Sequence, residues 1–418
     1  MHKSNCFWII RWGLVVLTLC WPRPVIAQAY PETVRIYLDS DRSVNTASTH
    51  AIEAGIRVAL HEHGDQLGGR PVELVLLDHR GNVKRSQRSF EQFAKDPAGL
   101  AVFSGIHSPP LLAHRDSLIN AQGLLTLDPW AAAGPITRPP TPENWIFRLS
   151  VDDTNAGVFI AHQAMARGVR RPALLLEKTG WGESNHQTMT KAIRARLGFD
   201  PSVTWFNWGT SEATMRIKLR EIVASGADAV FFVGNVREGV TLTRVLSASG
   251  GELNLPVYSH WGITGGDFFQ QVGAETLAGL EWVFIQTRFQ VAGAAPGSKM
   301  DRLLKTAQTC GMFLDAQTTD DIDAPTGFVH AYDLTKIFIA AVKQAGLTDD
   351  VIADRKNIRT ALQSLKVTVP GLIRDYDRPF GPYTQPGSAA HEALTNHDYT
   401  LARYDHDGVI RHIDNADD

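Results

Sequence analysis

Several short constellations in this 418-residue chain have residue types that could do chemistry, and each is set against what the reaction would need. Gly182-Glu183-Ser184-Asn185-His186 lies between an apolar run and a helical pattern, close to the strand-turn-helix context of a nucleophilic serine. His186 stands where the second glycine of that motif belongs, and no oxyanion motif accompanies it. His61-Glu62-His63 puts two imidazoles at i and i+2. A helix would need i, i+4 to aim both at one metal, so these read as surface histidines and no metal site is expected. Gly234-Asn235-Val236-Arg237-Glu238-Gly239 has its glycines at the wrong offsets for a dinucleotide fingerprint, and no phosphate loop of the Walker type appears. The residues therefore point away from an enzyme, and no cofactor is expected.

The elements that must position any site follow from periodicity. Residues 34–39, 72–78, 100–105 and 124–128 are short apolar runs of strand character. Helical segments separate them. In the first, Ile52, Ile56, Ala59 and Leu60 share one face and Gly64 offers a stop. Asn82 suits the cap of the second, and Ser108 followed by Pro109 suits the start of the third.

The same rhythm returns in strands 173–177, 203–206, 229–233 and 256–259, with helices near 183–198, 212–226 and 237–250. Strands that are almost wholly apolar belong to parallel sheets covered on both faces, joined by right-handed crossovers. The predicted fold is therefore α/β, with two doubly wound parallel-sheet lobes and a ligand cleft between them.

Three crossover segments are expected: a Pro/Gly-rich loop leading to the extended run 145–149, a return through 280–285, and a last crossing after residue 367. The end of the chain reads as a hairpin turning at Asp407-Gly408. The boundaries read this way are 30–148 with 284–369 for the N-terminal lobe, and 149–283 with 370–418 for the C-terminal lobe.

Lys3 and Arg11 precede an apolar run from Trp12 to Cys20, and Ala27-Gln28-Ala29 ends the segment, the order of a secretory signal peptide over residues 1–29. That run is shorter than the roughly 20 residues of a spanning helix. Leu19 is bulky where a lipid-anchor signal wants a small residue. Two of the three cysteines leave with such a leader, so Cys310 remains alone and stability must come from a large core. The net charge is −3 and there is no basic stripe, which argues against nucleic acid as a partner. A periplasmic monomer is expected.

In open parallel sheets ligands sit outside the carboxyl ends of the strands, which nominates segments 39–45, 105–108, 128–132, 178–183, 207–210, 234–238 and 259–265. The order of elements, together with four motifs, resembles a known family. The motifs are Leu67-Gly68-Gly69-Arg70-Pro71-Val72-Glu73-Leu74 before Asp78, Phe103-Ser104-Gly105, Phe147-Arg148 before Asp152-Asp153, and Gly180-Trp181-Gly182-Glu183. The family is the type I periplasmic solute-binding proteins, in particular the branch that binds leucine, isoleucine, valine and related molecules for ABC importers.

The resemblance implies capture of a small amphipathic organic molecule, such as an amino acid, an aromatic or aliphatic acid or an amide, by hinge closure. An inner-membrane ABC permease would be the partner, or alternatively a membrane sensor. It also implies ligand contacts. A carboxylate would be held where the third helix begins, at His107 and Ser108, and a second contact falls on Trp130, Ala131 and Ala132. From the other lobe Trp181 would close over the ligand, and Asn235 and Trp261 take the positions that hold an ammonium in amino-acid binders.

Each has a plainer alternative: Ser108 and Asn235 as helix caps, His107 as a solvated loop residue, and the tryptophans as packing at a lobe rim. The segment Ser259-His260-Trp261-Gly262 lacks the acid expected there, leaving Asp39, Asp41 or Glu238 to serve. The three tryptophans suggest an aromatic-lined pocket that would also suit a quaternary ammonium.

Overall fold

The computed structural model describes residues 32–415, so the segment read as a signal peptide, with Cys6 and Cys20, lies outside the described residues. Two sheets organise the rest. The first is built from β1 (Val34–Ser40), β2 (Gln66–Leu67), β3 (Arg70–Asp78), β4 (Gly99–Ser104), β5 (Thr126–Asp128) and β6 (Ile146–Arg148) in the order β2-β3-β1-β4-β5-β6. Its strands are parallel except the short β2, which pairs antiparallel with β3.

The second contains β7 (Pro172–Glu177), β8 (Ser202–Phe206), β9 (Ala229–Val233), β10 (Val257–Ser259) and β11 (Trp282–Thr287), all parallel. A small pair, β12 (Val369–Pro370) and β13 (Asp375–Tyr376), stands apart. The antiparallel strands β14 (Tyr399–Tyr404) and β15 (Ile410–Ile413) then complete the order β15-β14-β11-β10-β9-β7-β8. Asp407-Gly408 lies in the turn between them, with Gly408 at positive φ.

Helices cover the sheets with the faces expected. Ile52, Ile56, Ala59 and Leu60 are all buried on the helix Thr46–His61, and Asn82 caps the helix Val83–Lys95 by accepting from the Arg85 N–H. The long helix Pro325–Ala345 is buried along most of its length against the first lobe. Among the described residues no helix is long and apolar enough to cross a membrane.

The lobe boundaries read from sequence need two corrections. β11 stays in the second sheet to Thr287, so the return follows that residue rather than residue 283. The chain beyond residue 369 stays with the first lobe for another stretch. Asp333 accepts from the Leu372 and Ile373 N–H groups and from the Tyr376 hydroxyl, and Arg148 pairs with Glu392. These ties come from long-range polar contacts that carry no periodicity.

Candidate functional site

The carboxyl ends of β4 and β5 face those of β7, β9 and β10, and the loops that follow close on a single buried cavity. It is lined by Ile106, His107, Ser108, Pro109, Trp130 and Ala132 from one lobe and by Glu177, Trp181, Asn235 and Trp261 from the other. All seven residues singled out in the sequence therefore meet in one place. The free space among them is about 10 Å³, room for roughly one water molecule. Trp130 and Trp261 stack across the interface with centroids 5.1 Å apart, and the Gly134 N–H donates to Ser184 Oγ at 3.0 Å. The lobes are thus drawn together.

On the first-lobe side, Asp128 at the end of β5 accepts from the N–H groups of Trp130 (3.0 Å) and Ala131 (2.7 Å). Arg148 donates to the carbonyls of Ala131 and Ala133, which holds the loop in a single conformation. The Arg148 guanidinium is itself paired with Asp152 (2.8 Å) and Glu392 (2.6 Å), all three buried.

His107 Nε2 lies 2.9 Å from Asp41 Oδ2, so this histidine is neither free nor solvated. Burial alone would raise the Asp41 carboxyl, but hydrogen bonds from His107, Asn45 and the Val44 N–H bring it down to about 2. Ile106 reaches the pocket only by taking a positive φ of 74°.

Ser108 is not the helix cap expected. His107 holds the cap position, Ser108 is the first residue of the helix Ser108–His114, and its hydroxyl accepts from the Ala133 N–H. Pro109 and Pro110 follow and carry no N–H, so of the first three helical residues only Ser108 keeps a backbone donor.

On the second-lobe side, Trp181 Nε1 donates to Asp153 Oδ1, and His260 Nε2 lies 2.9 Å from the same oxygen. His260 Nδ1 accepts from the Trp261 N–H, which leaves the ring proton on Nε2, close to Asp153 but off the line of a hydrogen bond. One buried carboxylate thereby fixes two pocket tryptophans. Its own N–H donates to the Ala132 carbonyl of the opposite lobe. Asn235 stands at a helix start without capping it and donates instead to Glu177.

Two glycines permit this closeness. A Cβ on Gly182 would lie 1.9 Å from the Glu177 carbonyl, and one on Gly262 would lie 2.5 Å from the Gly234 carbonyl and 2.8 Å from the Trp181 ring.

The acid that sequence reasoning sought near Trp261 is Glu177, the last residue of β7. Asp39 is buried and accepts from Ser86, Asp41 is engaged with His107, and Glu238 accepts from the Gly209 N–H, and none of the three lines the cavity. A charge closing an otherwise apolar strand, Pro172 to Leu176, is the signal that could have singled out Glu177. Burial pushes its carboxyl up to about 7 against hydrogen bonds from Thr179 and Trp208, and the nearby charges of Glu238 and Asp153 add to the rise. Trp208 was also missed. It donates to Glu177 and lies 5.2 Å from the His107 ring, so it bridges the lobes.

A larger opening of about 520 Å³ lies nearby, lined among others by Phe289, Asp323, Tyr404 and Arg411. It is the roomier space, but the cavity at the strand ends has the converging aromatic and polar groups of a solute site. Ser184 of the near-serine motif sits inside the helix Gly180–Leu197, and His186 is near Glu183 rather than the serine hydroxyl.

Comparison with known proteins agrees with this architecture. A family model described as "periplasmic binding protein" matches residues 37–409. A periplasmic binding protein type 1 from Bordetella pertussis Tohama I superposes with a TM-score of 0.72 at 16% identity, covering 91% of this chain and 99% of that one. A solute-binding protein from R. palustris, in complex with benzoate, gives 0.71 at 18% identity over 92% and 96% of the two chains. A leucine-binding protein from Thermotoga maritima gives 0.70 at 16% identity over 91% and 98%. No curated protein matches the chain in sequence. With its two facing lobes and the family match spanning most of its length, the chain belongs to the periplasmic binding protein family, type I in fold, and it binds solutes rather than transforming them.

Proposed function

We propose that this protein captures a small amphipathic organic solute in the cavity between its lobes and presents the closed form to an inner-membrane ABC permease. The observation that carries the reading is the convergence of His107, Ser108, Trp130 and Ala132 with Glu177, Trp181, Asn235 and Trp261 on one buried cavity. Tryptophans supply large contact area and Glu177, Asn235 and Ser108 supply polar anchors, the usual division of labour in a small-molecule site.

Because only about 10 Å³ is free, a solute enters when the lobes part and Trp130 and Trp261 unstack. Closure then shields it from water and reshapes the outer surface that a permease reads. Family membership supports a periplasmic setting. Solved relatives carry benzoate, 4-hydroxybenzoate and leucine in their complexes or names, which supports a solute of that size.

The test is thermal unfolding of the purified protein against amino acids, aromatic acids, amides and organic amines. A solute at about a thousandfold its dissociation constant adds about 4 kcal/mol, a shift of several degrees. The shift is expected to vanish in Trp181→Ala. A shift that survives this substitution would place the solute elsewhere.

A further inference from the structure

Glu177 is 1% exposed, and its carboxylate accepts from Thr179 Oγ1 (2.6 Å), Trp208 Nε1 (3.0 Å) and Asn235 Nδ2 (3.2 Å). All three donors are neutral. Among the described residues no Lys or Arg pairs with it, and none lines the cavity. The one basic lining residue, His107, is held by Asp41. The charges of Glu238 and Asp153, which act on it, are negative. A buried carboxylate among three tryptophans, without a countercharge, is a site in want of a cation.

The opposite wall offers an anion no charged donor. Pro109 and Pro110 lack N–H groups, the N–H groups of Trp130 and Ala131 are taken by Asp128, and that of Ala133 is taken by Ser108, which leaves the neutral N–H groups of Ser108 and Ala132. A solute carboxylate would find no countercharge there, and it would share the cavity with the acid already present.

Resting on the reading of this cavity as the solute site, we propose that the solute is an organic ammonium cation whose positive charge sits at Glu177 among Trp130, Trp181 and Trp261. Its apolar body lies against the indole faces, and no carboxylate is needed on it. The ligand class thus differs from the benzoate of the R. palustris relative.

Calorimetric titration of the purified protein decides this with solutes of similar shape and different charge: benzyltrimethylammonium and phenethylamine, phenylalanine and leucine, benzyl alcohol, and benzoate. The cations are expected to bind at least about tenfold tighter than the alcohol, the acid or the zwitterions. Glu177→Gln is expected to erase that preference, weakening the cations about tenfold or more while changing the alcohol by less than about threefold. The charge series on the unaltered protein stands even if the variant folds poorly.

Benzoate or a zwitterion binding tighter than the cations, with Trp181→Ala abolishing it, would overturn the cation and leave the cavity as the solute site. Binding that survives both Trp181→Ala and Glu177→Gln, or silence across the panel at millimolar solute, would overturn the cavity reading and the proposal with it.

Discussion

The two walls of the cavity are built by different means. The first-lobe wall is set by backbone: the loop after β5 is clamped by Asp128 from its N–H side and by Arg148 from its carbonyl side, and Arg148 and Arg138 together pair with Asp152 and Glu392. The second-lobe wall is set by side chains. Asp153 accepts from Trp181 and lies against His260, and Glu177 gathers Thr179, Trp208 and Asn235, with no cation paired to it among the described residues. One wall ties Asp152 and Glu392 to two arginines, and the other keeps Glu177 among neutral donors. Stability therefore resides mainly in the first wall, and a solute would have most effect at the second.

Breaking the first wall should have the largest consequence. Arg148→Ala leaves Arg138 as the one arginine paired with Glu392 and Asp152 and frees the loop 129–133, and is expected to cost about 3 kcal/mol in chemical denaturation. A loss below about 1 kcal/mol would mean that the wall does not depend on this clamp.

The second wall is expected to behave oppositely at Glu177. Its carboxyl is raised from 4.5 to about 7 in the folded protein, so the fold binds the proton more tightly than the unfolded chain does. The stability this contributes is present below about pH 4.5 and lost as pH rises through about 7, a decline of about 3 kcal/mol. In Glu177→Gln the decline should flatten, which unfolding curves from pH 5 to 8 would show. An unchanged slope would move the effect to another group.

Asp41 sharpens the contrast with a smaller effect of the opposite sign. Its carboxyl is lowered from 3.8 to about 2, so its contribution is present above about pH 3.8 and lost as pH falls through about 2. Asp41→Asn, which weakens the tie to His107, is expected to cost about 1 kcal/mol at neutral pH and to reduce acid sensitivity between pH 4 and 2. If the variant keeps the full acid sensitivity, His107 is held by other contacts.

Much of this architecture was legible because periodicity is local. The apolar run 229–233 could be little other than a buried parallel strand, and the face made by Ile52, Ile56 and Leu60 required a helix against a core. The segments that line the cavity were legible for a topological reason: loops after parallel strands of two facing lobes converge on one cleft, while the individual residues came from the family resemblance. Glu177 escaped because it is the final residue of a strand rather than part of the loop after it. Ser108 was misread as a cap because Ser-Pro at a helix start is common, while the cap position fell one residue earlier, at His107. The division after residue 369 failed because a two-residue pair such as β12 and β13 has too few residues to show a pattern.

The amino-acid order by itself determined two α/β lobes, the loops that meet between them and the aromatic character of their meeting place, since alternation and residue type act over a few neighbours. Folding in three dimensions set the meeting of Arg148 with Glu392, the closeness of Asp153 to both Trp181 and His260, and the burial of Glu177 with no cation beside it among the described residues. Those facts depend on which charges lie within a few ångströms after folding, and Coulomb interactions and desolvation follow distance in space rather than separation along the chain.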